Sequence, residues 1–266
     1  MFYVVPFFWS FQYALTNNSF ERKFSGLDNF VWSFQNPYYR IALGNTFLFT
    51  FLGVAVMVVF SLLVSVMLVS AGEKFGFLRV AFVLPILLPT AGIALIWRTI
   101  FNPHGVLLNA PALPGLWGKV FSLEMLPVYL LFLWKYSGFN IILITAAITR
   151  IRGEIYEAAS LDGAKGWSMH RYITLPMIRP TLFFVTVFSM VNSFRIYKEI
   201  YYLFGDGYPP NAVYIIQYYM NNHFQKLNYQ YLSSGAIIFA LIVFIIVGVA
   251  YRLDQKQDHT DEGVES

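Results

Sequence analysis

Long uncharged apolar runs alternate with short polar stretches along this chain. Residues 46–69 carry no charge. At about 1.5 Å per residue a helix there is long enough to cross a hydrocarbon core of about 30 Å. Similar runs follow at 78–101, 127–148, 181–197 (continuing to 203) and 232–251. The first run, residues 2–15, has only 14 residues. It reaches about 21 Å, so the chain is expected to begin inside its first spanning helix. The pattern predicts an all-α polytopic membrane protein with six membrane helices, the first short and incomplete. The connection at 71–77 is so brief that the helices it joins must run antiparallel. Pro85 and Pro89 should bend or locally unwind the third span.

The intervening stretches are polar. Residues 17–40 read as a turn-rich loop and 205–231 as an aromatic, asparagine-rich external loop. The stretch before residue 127 holds Pro103, Pro111 and Pro114 and reads as irregular. A polar tail closes the chain and reads as mobile. This gives a membrane domain over 1–252, with a polar loop at 150–180, and a tail over 253–266.

Polar side chains inside the apolar runs form two stripes. In the fourth run Tyr129, Leu133, Tyr136 and Asn140 recur at helical spacing on one face. In the fifth, Thr186, Ser189, Asn192, Ser193 and Ile196 do the same. Lys135 is the ninth residue of the fourth run, about 13 Å deep. A lysine at mid-bilayer costs about 2.5–3.5 kcal/mol on insertion scales, so it must snorkel, pair or face a wet cavity. Arg195 and Glu199 stand four apart and are expected to pair at the outer rim.

Composition sharpens this picture. Hydrophobic residues make up 58% of the chain and charged residues 12%, about half the charge of a soluble domain. There is no cysteine, which excludes disulfides, thiolate metal sites and cysteine nucleophiles. The net charge of +4 comes without any basic run, so nothing argues for nucleic acid. No lysine is followed by Ser or Thr, so a phosphate-binding Walker A loop is impossible in this chain. The histidines, His104, His170, His223 and His259, lie in separate segments without zinc-ligand spacing. No residues support an enzyme, and no metal or cofactor site is expected. Lysine and arginine split evenly between the two sides, so orientation rests on the local cluster Arg150, Arg152, Lys165, Arg171 and Arg179.

That cluster frames the longest polar passage, YEAASLDGAKGWSMHRYITLPMIRP, residues 156–180. Leu161, Ala164 and Trp167 recur at three-residue spacing, Gly163 interrupts, and Pro176 and Pro180 close the passage. The pattern predicts a short amphipathic helix, a glycine bend and a second short helix outside the lipid. Glu157-Ala158-Ala159, three residues, Gly163, nine residues and Ile173-Thr174-Leu175-Pro176 resembles the EAA loop of ABC importer permeases, position for position. The wider YEAA…DGA…ITLP…RP form is similar to the carbohydrate-uptake, maltose-type branch. The resemblance covers roughly residues 25–252. It includes the pattern of Trp97, Phe101, Gly105 and Asn109. The family's Gly-Gly-Pro after the fifth span is replaced by Gly205-Asp206-Gly207-Tyr208-Pro209-Pro210.

The resemblance implies the type I importer fold. It implies one permease subunit in a multi-pass assembly of the bacterial cytoplasmic membrane. The partners it implies are a second homologous permease, two ATPase subunits that bind ATP and magnesium, and an extracellular solute-binding protein; the cargo would be a sugar or oligosaccharide. Glu157, Ala158, Ala159, Asp162, Gly163, Ala164, Leu175 and Pro176 would form the coupling helix that seats in the ATPase. Tyr136, Asn140, Ser189, Asn192 and Ser193, with Lys135, would lie on the substrate pathway. Ser189 stands where the family has a serine, and the family's asparagine falls on Ser193, one residue past Asn192. Tyr136 and Asn140 flank what corresponds to a Gly138-Phe139 turn. The same stripes also suit helix-to-helix hydrogen bonding. A permease for glycerol phosphate, polyamines or another small polar solute shares the loop. A channel or secondary transporter would need a charge relay or filter that the spans lack.

Overall fold

A computed structural model describes residues 4–17, 23–72, 76–101, 124–205 and 209–262. The architecture is helical, and among the described residues the only β pairing is a single bridge between Thr16 and Phe24. The chain divides into two compact units, residues 1–45 with 214–266, and residues 46–213.

The first unit contains α1 (Val4–Ala14), α2 (Asp28–Gln35), the start of α3 (Pro37–Ser70), α11 (Ile216–Gln225) and α12 (Tyr229–Glu262). α1, α2 and α11 all pack on α12. Polar side chains fasten this unit from within. Asn29 Nδ2 donates to the carbonyls of Ala14 (2.9 Å) and Thr16 (2.7 Å). Ser33 and Ser234 hydroxyls meet at 2.9 Å, and Tyr39 OH donates to the Gly235 carbonyl at 2.8 Å.

The stretch expected as a loop at 17–40 therefore holds a helix and the beginning of another. Asn36 starts α3: its Oδ1 accepts from the Tyr38 amide at 2.9 Å, and Pro37 follows at the first helical position, where no donor is needed. The second correction is α11, inside the expected external loop. Its buried residues Ile216, Tyr218, Tyr219 and Asn222 follow helical spacing. Their phenols and amide made them read as loop. His223 stacks among Trp32, Tyr219 and Tyr231. Burial there, with a smaller contribution from Lys226, pushes its pKa down to about 4. α12 also continues to Glu262, well beyond the end of the apolar run, where a mobile tail was expected.

The second unit contains the rest of α3, α4 (Gly76–Leu87), α5 (Thr90–Ile100) and α6 (Met125–Thr149). Next come α7 (Gly153–Leu161) and α8 (Trp167–Met177), and then α9 (Arg179–Phe194) and α10 (Tyr197–Phe204). The proline expectation holds: α4 and α5 meet at 109° across a break at Leu88 and Pro89. α6 is the central helix, with α4, α9 and α10 against it. Gly138 in α6 explains the closeness of α4. A Cβ built there would fall on the backbone carbonyl of Phe82, far inside contact distance. Gly138 is therefore a helix-crossing contact inside a continuous helix, and the expected Gly138-Phe139 turn is absent.

Three described helices are long and apolar enough to cross a membrane: α3, α6 and Tyr229–Val249 of α12. Two further spans are obtained if each bent pair, α4 with α5 and α8 with α9–α10, is taken as one. α1 has 11 described residues and falls short by that measure. Gly105, Asn109, His104 and the turn residues Asp206, Gly207 and Tyr208 lie outside the described residues.

Candidate translocation and coupling sites

The two stripes meet inside the second unit. Asn140 on α6 donates from Nδ2 to Ser189 Oγ on α9 at 2.7 Å. One turn on, Ser193 Oγ lies 2.9 Å from Thr50 Oγ1 on α3 and itself donates to the Met190 carbonyl. Asn140, Ser189, Asn192 and Ser193 are all buried. Thr186, expected in the same stripe, is exposed and returns its hydroxyl to the Leu182 carbonyl. The ladder of stripe residues therefore begins at Ser189.

Towards the α10 end the polar line becomes ionic. Lys135 Nζ donates to Glu199 Oε1 at 2.6 Å and to Thr90 Oγ1 at 2.7 Å. Tyr136 OH donates to the same Glu199 oxygen at 3.1 Å, and Lys135 lies over the Tyr136 ring, 5.4 Å from its centre. Both charged side chains are nearly sealed, at 7% and 3% exposure. Glu199 therefore pairs with Lys135 across 64 positions, and the expected rim pair with Arg195 is replaced; Arg195 is exposed. Geometry decides between these partners. Lys135 points into the helix contact, where its charge must be neutralised. Arg195 stands in water's reach and needs no partner. The sequence put Glu199 in view only as an i, i+4 neighbour. The signal that would have found its true partner is the pairing of two ions, Lys135 and Glu199, inside apolar runs.

The 150–180 passage folds as its spacing predicts. α7 carries Glu157 and Ala158 exposed and Ala159 buried. It stops at Asp162 because Gly163 adopts φ +89. The Gly163 amide then bonds the Ser160 carbonyl (3.1 Å) and the Ala164 amide bonds the Ala159 carbonyl (2.9 Å). This crossed pair is a Schellman cap, and it satisfies carbonyls that a helix end leaves open. Gly163 has no heavy atom within 4 Å of where a Cβ would sit, so backbone conformation alone demands glycine.

α8 contains a π turn at His170–Thr174. Buried Thr174 ties it back to α7 through Tyr156 OH at 3.1 Å. Ile178 then packs with Ile144, Ile148 and Val185, joining the passage to α6 and α9. Asp162 and Pro176 are exposed, while Ala164 and Leu175 are half-buried. The surface is apolar where a free loop would be polar: Leu161 is 88% exposed, Trp167 67% and Tyr172 68%. The Leu161–Ala164–Trp167 spacing does not mark one helical face, since the glycine bend separates the first from the others. It places large apolar side chains on both limbs of an exposed knob.

Long apolar helices, a sealed polar seam between them and a rigid apolar knob at one end define an α-helical membrane transport subunit. The chain belongs to the family of binding-protein-dependent transport system inner membrane components, whose pattern matches residues 45–259. It is 30% identical over 261 residues to the arabinooligosaccharides transport system permease protein AraP of Bacillus subtilis, covering 94% of this chain and 82% of that one. It is 26% identical to the lactose transport system permease protein LacF of Rhizobium radiobacter, covering 88% and 80%. Its fold is similar to a chain in the crystal structure of a bacterial ABC transporter involved in import of the acidic polysaccharide alginate. That match has a TM-score of 0.76 at 22% identity, over 96% of this chain and 90% of that one.

Proposed function

We propose that this permease forms half of the membrane pathway of an ATP-driven importer for an uncharged saccharide in a bacterial cytoplasmic membrane. A second permease completes the pathway, an extracellular binding protein delivers the solute, and two separate ATPase subunits supply the energy through the α7–α8 knob. The observation that carries the saccharide reading is the chemistry of the facing stripes. Amides, hydroxyls and a phenol from Tyr136, Asn140, Ser189, Asn192 and Ser193 converge on one seam, and such groups match sugar hydroxyls. The names of the lactose and arabino-oligosaccharide relatives support the same class. In this conformation the stripes close on each other, so carrying a solute requires them to part.

The alternative cargo, glycerol phosphate or another anion, is disfavoured by a specific contact. Lys135 is the cation within the central spans, and Glu199 neutralises it at 2.6 Å. An anion would meet a seam without net positive charge.

For the knob, Glu157 and Ala158 face outward beside Leu161 and Trp167, which suits insertion into a groove of an ATPase. The Schellman cap, the Tyr156–Thr174 bond and the Ile178 packing make it stiff enough to transmit displacement to α6 and α9.

The test is reconstitution of this chain with its permease partner, ATPase subunits and binding protein in proteoliposomes. Uptake of a labelled neutral saccharide that requires internal ATP is expected. Uptake by the membrane subunits without an ATPase, or driven by a proton gradient, would sink the reading. Asn140→Leu and Ser193→Leu are expected to lower uptake while the complex still assembles.

A further inference from the structure

Glu199 holds one oxygen fully engaged and the other idle. Oε1 accepts from Lys135 and Tyr136, whereas Oε2 is buried and accepts from nothing. A desolvated carboxylate oxygen without a donor is costly, and a carboxylate has room for several. Two neighbouring helices repeat the situation. Asn140 spends its amide nitrogen on Ser189 and leaves Oδ1 buried without a partner; Asn192 leaves Nδ2 in the same state. So α6, α9 and α10 each bring one buried, unengaged polar atom to the seam, two acceptors and one donor. A seam that served only to hold helices together would do as well with apolar side chains, because a buried ion pair seldom stabilises more than a well-packed apolar pair.

We infer that Glu199 is a further substrate-contacting residue, whose Oε2 accepts a hydroxyl of the passing solute when the seam opens. The inference rests on the stripes being the solute pathway. Lys135 and Tyr136 are its positioning residues: they hold Oε1, fix the carboxylate plane and keep it ionised. Thr90, at the start of α5 just past the break, anchors Lys135 in turn. Asn140 Oδ1 supplies a second acceptor and Asn192 Nδ2 a donor. This set takes a solute with several hydroxyls. It offers Oε2 no donor for a carboxylate or phosphate, and the negative charge there repels one. The ligand class is therefore an uncharged polyhydroxylated molecule, in contrast to the acidic cargo named for the alginate transporter.

The experiment uses the whole reconstituted importer with lactose, an arabino-oligosaccharide and a panel of other neutral mono- and oligosaccharides as labelled probes. Glu199→Leu is expected to cut the maximal uptake rate of the transported probe at least about tenfold, the loss of one charge-assisted hydrogen bond. The decisive variant is K135M/E199L, which removes both ions and leaves neither stranded. It is expected to recover thermal stability and remain slow in uptake. K135M/E199Q, which returns a neutral acceptor to the same place, is expected to recover part of the rate. If K135M/E199L transports like the wild type, the pair is only a structural brace and the inference is overturned while the saccharide reading stands. If the wild-type complex carries none of the neutral probes, that reading falls and the inference falls with it.

Discussion

The seam of α6, α9 and α10 and the knob of α7 and α8 solve opposite problems. In the seam, polar groups sit in an apolar interior and must find each other across long stretches of chain. In the knob, apolar groups sit in water and wait for something outside the chain. Each contains an ion pair, and the two pairs measure the contrast. Lys135–Glu199 is sealed at 2.6 Å, whereas Arg152–Glu154 is loose at 3.7 Å with both side chains at least 75% exposed. A misplaced group is a sign of use in both places: polarity where the surroundings are oily, oiliness where they are wet.

The sharpest way to break this comparison is to strand one ion of the seam. Lys135→Met or Glu199→Leu alone should cost about 3–5 kcal/mol, because each leaves an uncompensated buried charge. Thermal unfolding of the solubilised complex measures it, and a loss no larger than that of the double variant would mean the pair is not desolvated. Gly138→Ala comes next, at about 1–3 kcal/mol or more, since the added methyl must displace the α4 backbone. In the knob, Gly163→Ala should cost about 1–2 kcal/mol through its positive φ, with no clash. Gly163→Asp and Glu157→Lys should in addition lower binding-protein-stimulated ATP hydrolysis; normal hydrolysis and uptake in both would remove the knob from the coupling path.

A weaker effect belongs to His223, held neutral among aromatic rings. The unfolded chain takes up its proton near the ordinary value of 6.5, whereas the folded site resists until about 4. Stability from this packing is therefore complete above pH 6.5 and declines as pH falls towards 4. Hydrogen exchange of the α11 amides should rise over that window, and a flat profile would contradict the burial. Smallest of all, Arg152→Ala should leave thermal stability unchanged within error, as befits an exposed pair.

The knob was legible in the sequence because its determinants are local. Gly163, the small residues before it and the prolines after it act within a few positions of each other. The spans were legible for the same reason, through composition over about 20 residues. The bend at Pro89 follows from a missing amide. What sequence pattern could not supply was pairing at a distance: that Lys135 meets Glu199, or that Asn140 meets Ser189, depends on how separate helices cross. The helix α11 escaped for another reason. Its inner face is tyrosine and asparagine, and hydrophobic periodicity reads such residues as solvent-facing although Tyr218 and Tyr219 are fully packed.

Gly138 has a mechanical consequence. Two helices separated by side chains slide by exchanging which knobs fill which holes. α4 and α6 touch backbone to backbone at one residue, flanked in α6 by Ser137 and Phe139. A shift of one position along α6 would drive a side chain into the Phe82 carbonyl. Sliding is barred there, but turning about the contact is not. The crossing is a pin joint, so relative motion of these helices is a rocking about residue 138, with displacements that grow with distance from it.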